Sequence, residues 1–281
     1  MKTIILHIGM PKTGTTALQG FLHQHELRDV LYPRTGIYPG RKKAPAHHEL
    51  FYALVEDRST VSTPWPAPRG TFNEILSDLL EEIEGSDKTT VILSSEILWN
   101  RDAIDRRALE RIKEGFAGYR IRIEGFTRDP VGHAYSSYAQ RVVGSQRYQG
   151  TLAEHVDDQL QDGTWSYDER SALYETVFGS ESVRIHRYED HAHNIIEAIL
   201  RPLEEGSQSE VPKSNASRPW VSVRLTRRAN IAGRRSLTGA VFLSFAKVLW
   251  LPGVRRLAQA MDAFAKPALP APLATREGCE A

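Results

Sequence analysis

Apolar positions along the chain fall into two alternating kinds of block. Short β-branched runs at Thr3–Ile8, Thr90–Leu93, Arg120–Phe126 and Val183–Arg187 end at glycine or polar residues and read as strands. Between them, apolar residues recur at three- and four-residue spacing, the period of a helix face. Ala17, Leu18, Phe21 and Leu22 give one such face, on a helix running to about His25. Phe72, Ile75, Leu76, Leu79, Leu80 and Ile83 give a second stripe, and Ile104–Phe116 reads as a charged amphipathic helix. Further helices are predicted over about 130–143, 151–161, 167–178 and 190–201. Asp129 and Pro130 are a good N-cap and first helical residue for the first of these.

Strands separated by helices argue for an α/β fold of three layers, a central parallel sheet flanked by helices. Ligands of such sheets bind outside the carboxyl ends of the strands. The loops Gly9–Thr16, Ser94–Glu96 and Arg128–Pro130 each follow a strand and are expected to meet at that edge.

Two stretches break the pattern. Residues 33–70 are rich in proline and glycine, with a short helix expected over about His48–Val55. A loop segment this long commonly serves as a lid or binding segment. From Val211 to Met261 there are ten Lys or Arg and no Asp or Glu. Inside that basic stretch, Ala240–Leu251 is apolar except for Ser244 and Lys247. The chain therefore divides into a domain over 1–217 and a basic, helical C-terminal extension over 218–281. Residues 238–265 could pack on the domain, form a homodimer interface or lie against a membrane. Nucleic acid is not expected as a partner, since no reading motif accompanies the arginines.

Composition narrows little. At 41% apolar and 25% charged, the 281 residues are ordinary for a soluble globular protein, and the formal net charge is +1. Cys279 is the only cysteine, so neither an intrachain disulfide nor a cysteine metal site is possible, as suits a reducing compartment. No secretory signal is visible, and no apolar run reaches the roughly 20 residues that span a bilayer. A cytoplasmic protein is expected, at the inner membrane face if the extension docks there.

Candidate chemistry concentrates at Gly9-Met10-Pro11-Lys12-Thr13-Gly14-Thr15-Thr16. A glycine-bounded loop between strand and helix points N–H groups and a positive helix end at one spot, which suits phosphate or sulfate. The glycine spacing is that of a Walker A loop, G-x-x-x-x-G-K-[ST]. Here the lysine has moved inside the loop, to Lys12, and Thr15 stands in its usual place. The strand-ending aspartate that would help hold Mg²⁺ is replaced by Ser94-Ser95-Glu96.

The run P-K-T-G-T-T resembles the 5′-phosphosulfate loop of sulfotransferases that use 3′-phosphoadenosine-5′-phosphosulfate (PAPS). Arg128, after a strand, and Ser136, eight residues later on the following helix, match that family's 3′-phosphate pair. The resemblance, closest to bacterial carbohydrate-type members, runs from the N-terminal loop to about Ser217. It implies a P-loop-like fold, sulfuryl transfer to a hydroxyl or amine of a carbohydrate or other small acceptor, and release of 3′,5′-ADP. PAPS would be held by Pro11, Lys12, Thr13, Gly14, Thr15, Thr16, Arg128 and Ser136, with Lys213 and Asn215 in a closing loop. Lys12 would stabilise the charge of the leaving group, and Glu96 would take the acceptor's proton. His48, in the pair His47-His48, is the alternative base. His7 reads as a packed strand residue, and His191 and His193 as solvated, so no metal is expected. Two other functions fit the loop: a Mg-ATP kinase, and a nucleotide-binding protein without catalysis.

Overall fold

The computed structural model describes residues 1–40, 45–56, 58, 65–101, 103–192, 194–200, 219–249, 251 and 266–268. The chain starts with β1 (Thr3–His7), α1 (Thr15–Gln24), β2 (Val30–Leu31), α2 (His48–Tyr52), α3 (Phe72–Glu84) and β3 (Thr90–Ser94). It continues through α4 (Arg106–Gly115), β4 (Arg120–Thr127), α5 (Pro130–Val143), α6 (Leu152–Gln161) and α7 (Tyr167–Phe178). Last come β5 (Val183–Arg187), α8 (Tyr188–His191), α9 (Ile195–Leu200), α10 (Trp220–Ala232) and α11 (Leu237–Val248).

The five strands form one parallel sheet in the order β2-β3-β1-β4-β5, flanked by helices. The expected α/β fold is therefore present, with one strand added: β2 is only two residues long, too short to carry a period. The predicted helix over 190–201 divides into α8 and α9.

β1 lies between β3 and β4, with His7 in register with Ser94 on one side and Glu124 on the other. Successive side chains of a strand point to opposite faces. Ile5, Ile92 and Phe126 thereby share one face, where they pack with Leu18, Phe21 and Leu22 of α1 and with Ile195, Ile196 and Ile199 of α9. The same alternation sends His7 and Ser94 toward α1. Gln19 of α1 meets them there, its amide donating to Ser94 Oγ at 3.1 Å.

The chain clusters into two compact units. One comprises Met1–Arg128 and the described residues from Ser166 to Leu200, and holds the whole sheet. The other comprises Asp129–Trp165 and the described residues from Pro219 on. The boundary expected after Ser217 falls outside the described residues. Within the second unit, Trp220 packs edge-on to Tyr135 at 5.2 Å, and the Asn230 amide donates to the carbonyls of Val142 and Tyr148. These contacts bind α10, which lies in the extension expected to be helical, to α5.

Candidate active site

The loop after β1 is held from both neighbouring strands. Met10 N–H donates to Phe126 O, and Phe126 N–H donates back to Gly9 O. Ser95 N–H donates to His7 O on the other side. The loops after β1, β3 and β4 thus meet at the carboxyl edge of the sheet.

Gly9 and Gly14 sit at φ 95° and 85°, a region that L side chains rarely adopt. A Cβ on Gly14 would stand 3.1 Å from Ile195 Cγ2, and one on Gly9 would meet the Glu96 side chain at 3.4 Å. Close approach therefore adds to backbone conformation at Gly14, whereas at Gly9 the positive φ alone calls for glycine. Lys12 also has positive φ, at 69°, without glycine's freedom. Such a residue costs about 1–2 kcal/mol, and this kind of strain gathers at ligand clamps.

Gly14 offers no capping side chain to α1, so the Thr15 and Thr16 N–H groups have no side-chain cap at the loop, while Ala17 N–H donates to Gly14 O at 2.9 Å. The hydroxyl groups of the loop diverge. Thr13 is buried and donates to Met10 O at 2.6 Å. Thr15 is buried and donates to Glu96 Oε1. Thr16 is exposed in the first turn, as is Pro11 in the loop.

Lys12 and Arg128 are brought together. Arg128 Nη1 donates to the Lys12 carbonyl at 2.6 Å, and its guanidinium lies 4.9 Å from the Tyr188 ring centre. Tyr167 fixes the same residue from behind, its hydroxyl donating to Arg128 O at 2.5 Å. Burial pushes the Lys12 ammonium below the ordinary lysine value, and the Arg128 charge pushes it further, against the opposing pull of Glu96.

Glu96 follows β3 in a single turn of 3-10 helix, Glu96–Trp99, whose N-cap is Ser95. Its Oε1 accepts from Thr15. Its Oε2 accepts from Gln19 at 3.1 Å and stands 3.3 Å from His48 Nε2. Burial alone would raise this carboxyl. The His48 imidazole, the Thr15 hydroxyl, a backbone N–H and the Gln19 amide outweigh it and hold the group below the usual carboxylate range.

The two adjacent histidines have opposite fates. His47 is fully buried, donating through Nε2 to Pro33 O and accepting the Ser94 N–H at Nδ1, and burial pushes its imidazole down to about 3. His48 turns to the site, with Nδ1 2.7 Å from Ser95 Oγ and its ring 4.1 Å from that of Trp65. His7, fully buried, pairs through Nδ1 with Ser94 Oγ at 2.8 Å, and burial lowers it to about 4.

Lys12, Thr13, Gly14, Thr15, Thr16, Glu96, His48 and Arg128 therefore belong to one unit and one sheet edge. Ser136 lies half-buried on α5 of the second unit. Lys213, Asn215 and His193 fall outside the described residues. Gln19, Ser95, Tyr188 and Trp65 join the site without having been assigned a part in it from the sequence. Among the described residues, no group of three or more His, Cys, Asp or Glu is gathered to hold a metal.

No family model and no curated protein matches the chain. Solved structures do. A sulfotransferase from Alicyclobacillus acidocaldarius superposes with a TM-score of 0.51 at 16% identity, over 87% of this chain and 96% of that one. This chain has the sulfotransferase fold. A mouse sulfotransferase, SULT7A1 complexed with PAP, aligns over 93% of this chain and 82% of its own at 13% identity. Its TM-score of 0.41 is too low to bear on the site.

Proposed function

We propose that the protein is a PAPS-dependent sulfotransferase. The observation that carries this is the pairing of Lys12, inside a strand-to-helix anion loop, with Arg128, whose guanidinium is anchored to that loop's own backbone. A lysine within the loop and a guanidinium fixed to the same loop's backbone suit a nucleotide phosphorylated at both ends. The donor supplies the sulfuryl group and leaves as 3′,5′-ADP.

The Thr15 and Thr16 N–H groups and the exposed Thr16 hydroxyl bind the 5′-phosphate. Lys12 steadies negative charge where it builds up on the leaving oxygen, the electrostatic part of the task. Arg128 offers a planar fork to the 3′-phosphate. Glu96 takes the proton of the acceptor hydroxyl or amine. Its Oε1 accepts from Thr15 and its Oε2 from Gln19, with His48 beside it, so the carboxylate is held in one orientation. Both ring nitrogens of His48 are engaged, by Ser95 and by Glu96, which supports a role in orienting the carboxylate. The half-buried Trp65 ring beside His48 gives an aromatic wall next to the base, which suits a sugar ring and favours a carbohydrate or glycolipid acceptor.

Thermal shift separates this reading from the kinase alternative. 3′,5′-ADP at a hundred times its Kd adds about 2.7 kcal/mol, which raises Tm by roughly 5 °C for a chain of this size. Mg-ATP should give no comparable rise, and stabilisation by Mg-ATP alone would overturn the proposal.

A further inference from the structure

We propose that Gln19 is a positioning residue for Glu96, holding it from the helix whose first turn borders the donor loop. This role rests on Glu96 being the base of sulfuryl transfer. Thr15 and Gln19 stand four residues apart on α1, so they share one helix face, one turn above the other. Thr15 donates to Glu96 Oε1, and Gln19 Nε2 donates to Oε2 at 3.1 Å. A single face of α1 thus holds both carboxylate oxygens.

Packing alone does not account for a glutamine at this position. Gln19 is 1% exposed, and the buried face of α1 otherwise carries Leu18, Phe21 and Leu22. An amide in such surroundings is destabilising unless its polar atoms find partners. Only its nitrogen does. Nε2 also donates to Ser94 Oγ at 3.1 Å, whereas Oε1 is buried with no hydrogen-bond partner among the described residues. A leucine would fill the same face without leaving a carbonyl orphaned. The side chain is set for its two donors, and one of them ends on the base.

An amide is also the group that this place calls for. An ionised carboxylate only accepts, so the nitrogen and not the oxygen of Gln19 faces Glu96. Two hydrogens on one neutral nitrogen bridge a carboxylate and a hydroxyl. Methionine, of similar length, has none. A lysine or arginine there would tie the base into an ion pair and lower its affinity for the acceptor's proton. Ser94 fixes the amide from the far side, its Oγ lying 2.8 Å from Nδ1 of the fully buried His7. A chain of polar contacts, His7–Ser94–Gln19–Glu96, therefore runs from within the sheet to the base. The titratable groups that face Glu96 are His48 of α2, His7 of β1, Lys12 of the loop and Tyr32 just after β2. All four stay in place when Gln19 is replaced.

The test compares the full chain with Gln19→Met, which keeps the length of the side chain and removes its donors. Transfer from labelled PAPS to an acceptor from a carbohydrate panel is followed against pH. In Gln19→Met, kcat should fall on the order of 10–100-fold, while KM for PAPS stays within about threefold of the parent. The acid limb of kcat should move up by about one pH unit, because a hydrogen bond that favoured the ionised carboxyl is gone. A glutamine that only fills space would alter stability and leave that limb unmoved. If Gln19→Met fails to fold, Ser94→Ala, which removes the far anchor of the amide, decides, with kcat lower by about fivefold and the acid limb displaced the same way. Parental kcat and an unmoved acid limb in the folded variant would overturn the role of Gln19 and leave the donor assignment standing. If the parent chain transfers no sulfuryl group, it is the donor assignment that fails. The Glu96 carboxyl titration then decides for Gln19, followed by carbon-13 NMR and assigned by its absence from Glu96→Gln. A midpoint about one unit higher in Gln19→Met supports the hold on Glu96, and an unchanged midpoint overturns it.

Discussion

Replacing Glu96 by glutamine keeps the shape of the site and removes its base. The amide oxygen can take the Oε2 position and accept from Gln19 and His48. The amide nitrogen then faces Thr15, whose hydroxyl rotates from donor to acceptor. Three charge-assisted hydrogen bonds become neutral ones, each weaker by about 1 kcal/mol. Part of that loss is offset because a carboxylate whose side chain is only 20% exposed no longer has to be desolvated. The expected net cost to stability is about 1–2 kcal/mol. Turnover should fall far more, since a positioned general base is worth about 10²–10⁴ in rate, or roughly 3–5 kcal/mol of barrier. 3′,5′-ADP should bind as tightly as before or more so, because a negative group near Lys12 has been neutralised. The assay is single-turnover transfer from labelled PAPS to an acceptor drawn from a carbohydrate panel, with calorimetry of 3′,5′-ADP on the same preparation. In the parent enzyme Glu96 is ionised above its depressed pKa, so activity should hold through neutral pH and fall only as pH drops below the usual carboxylate range. Turnover of Glu96→Gln within threefold of the parent, with nucleotide binding intact, would refute this assignment of the base.

Two further outcomes concern stability. Gly14→Ala places a side chain at φ 85° and 3.1 Å from Ile195, so chemical unfolding should show a loss of about 2–3 kcal/mol, and parental stability would contradict the left-handed turn. His7 and His47 stay neutral in the folded protein down to about 4 and about 3, whereas in the unfolded chain they take up protons near 6.5. The stability linked to them is complete above about 6.5 and is lost as pH falls below it, by up to about 1.4 kcal/mol per pH unit for each group. Urea unfolding at pH 5 should therefore give a stability at least about 4 kcal/mol lower than at pH 7, since His155, which burial also lowers to about 4, adds to these two, and equal values would show that these imidazoles are not buried as neutral groups.

How much of this was legible in the sequence depended on how local the cause was. The four longer strands, the helix stripes and the anion loop all follow from short-range spacing, and all lie where the periods placed them. Lys12 stood out because one residue had shifted within a known glycine spacing. Glu96 could be named because it directly follows a strand. What the sequence hid was decided by tertiary contact. Gln19 reaches Glu96 because β1 and β3 turn His7 and Ser94 toward α1, a matter of sheet face rather than local pattern. His47 and His48 are chemically identical neighbours, and only the start of α2 separates a buried strut from a site residue. β2 carries too few residues for a period, and the arginines of α10 obscure the apolar face that Val223 and Ala229 bury. α11 begins at Leu237, earlier than the apolar run at Ala240, because Ser236 caps it by accepting the Gly239 N–H at 3.0 Å.

The central claim is that Lys12 and Arg128 mark a site for a nucleotide phosphorylated at both its 3′ and 5′ positions. Calorimetric titration of 3′,5′-ADP and of 5′-AMP, into the parent protein and into Arg128→Ala, tests it most directly. A charge-assisted bond from Arg128 to the 3′-phosphate is worth about 1.5–3 kcal/mol. The parent should therefore bind 3′,5′-ADP roughly 10–150-fold more tightly than 5′-AMP, and Arg128→Ala should bring the two affinities together. Equal affinity of the parent for both nucleotides, or a preference that survives Arg128→Ala, would contradict the claim.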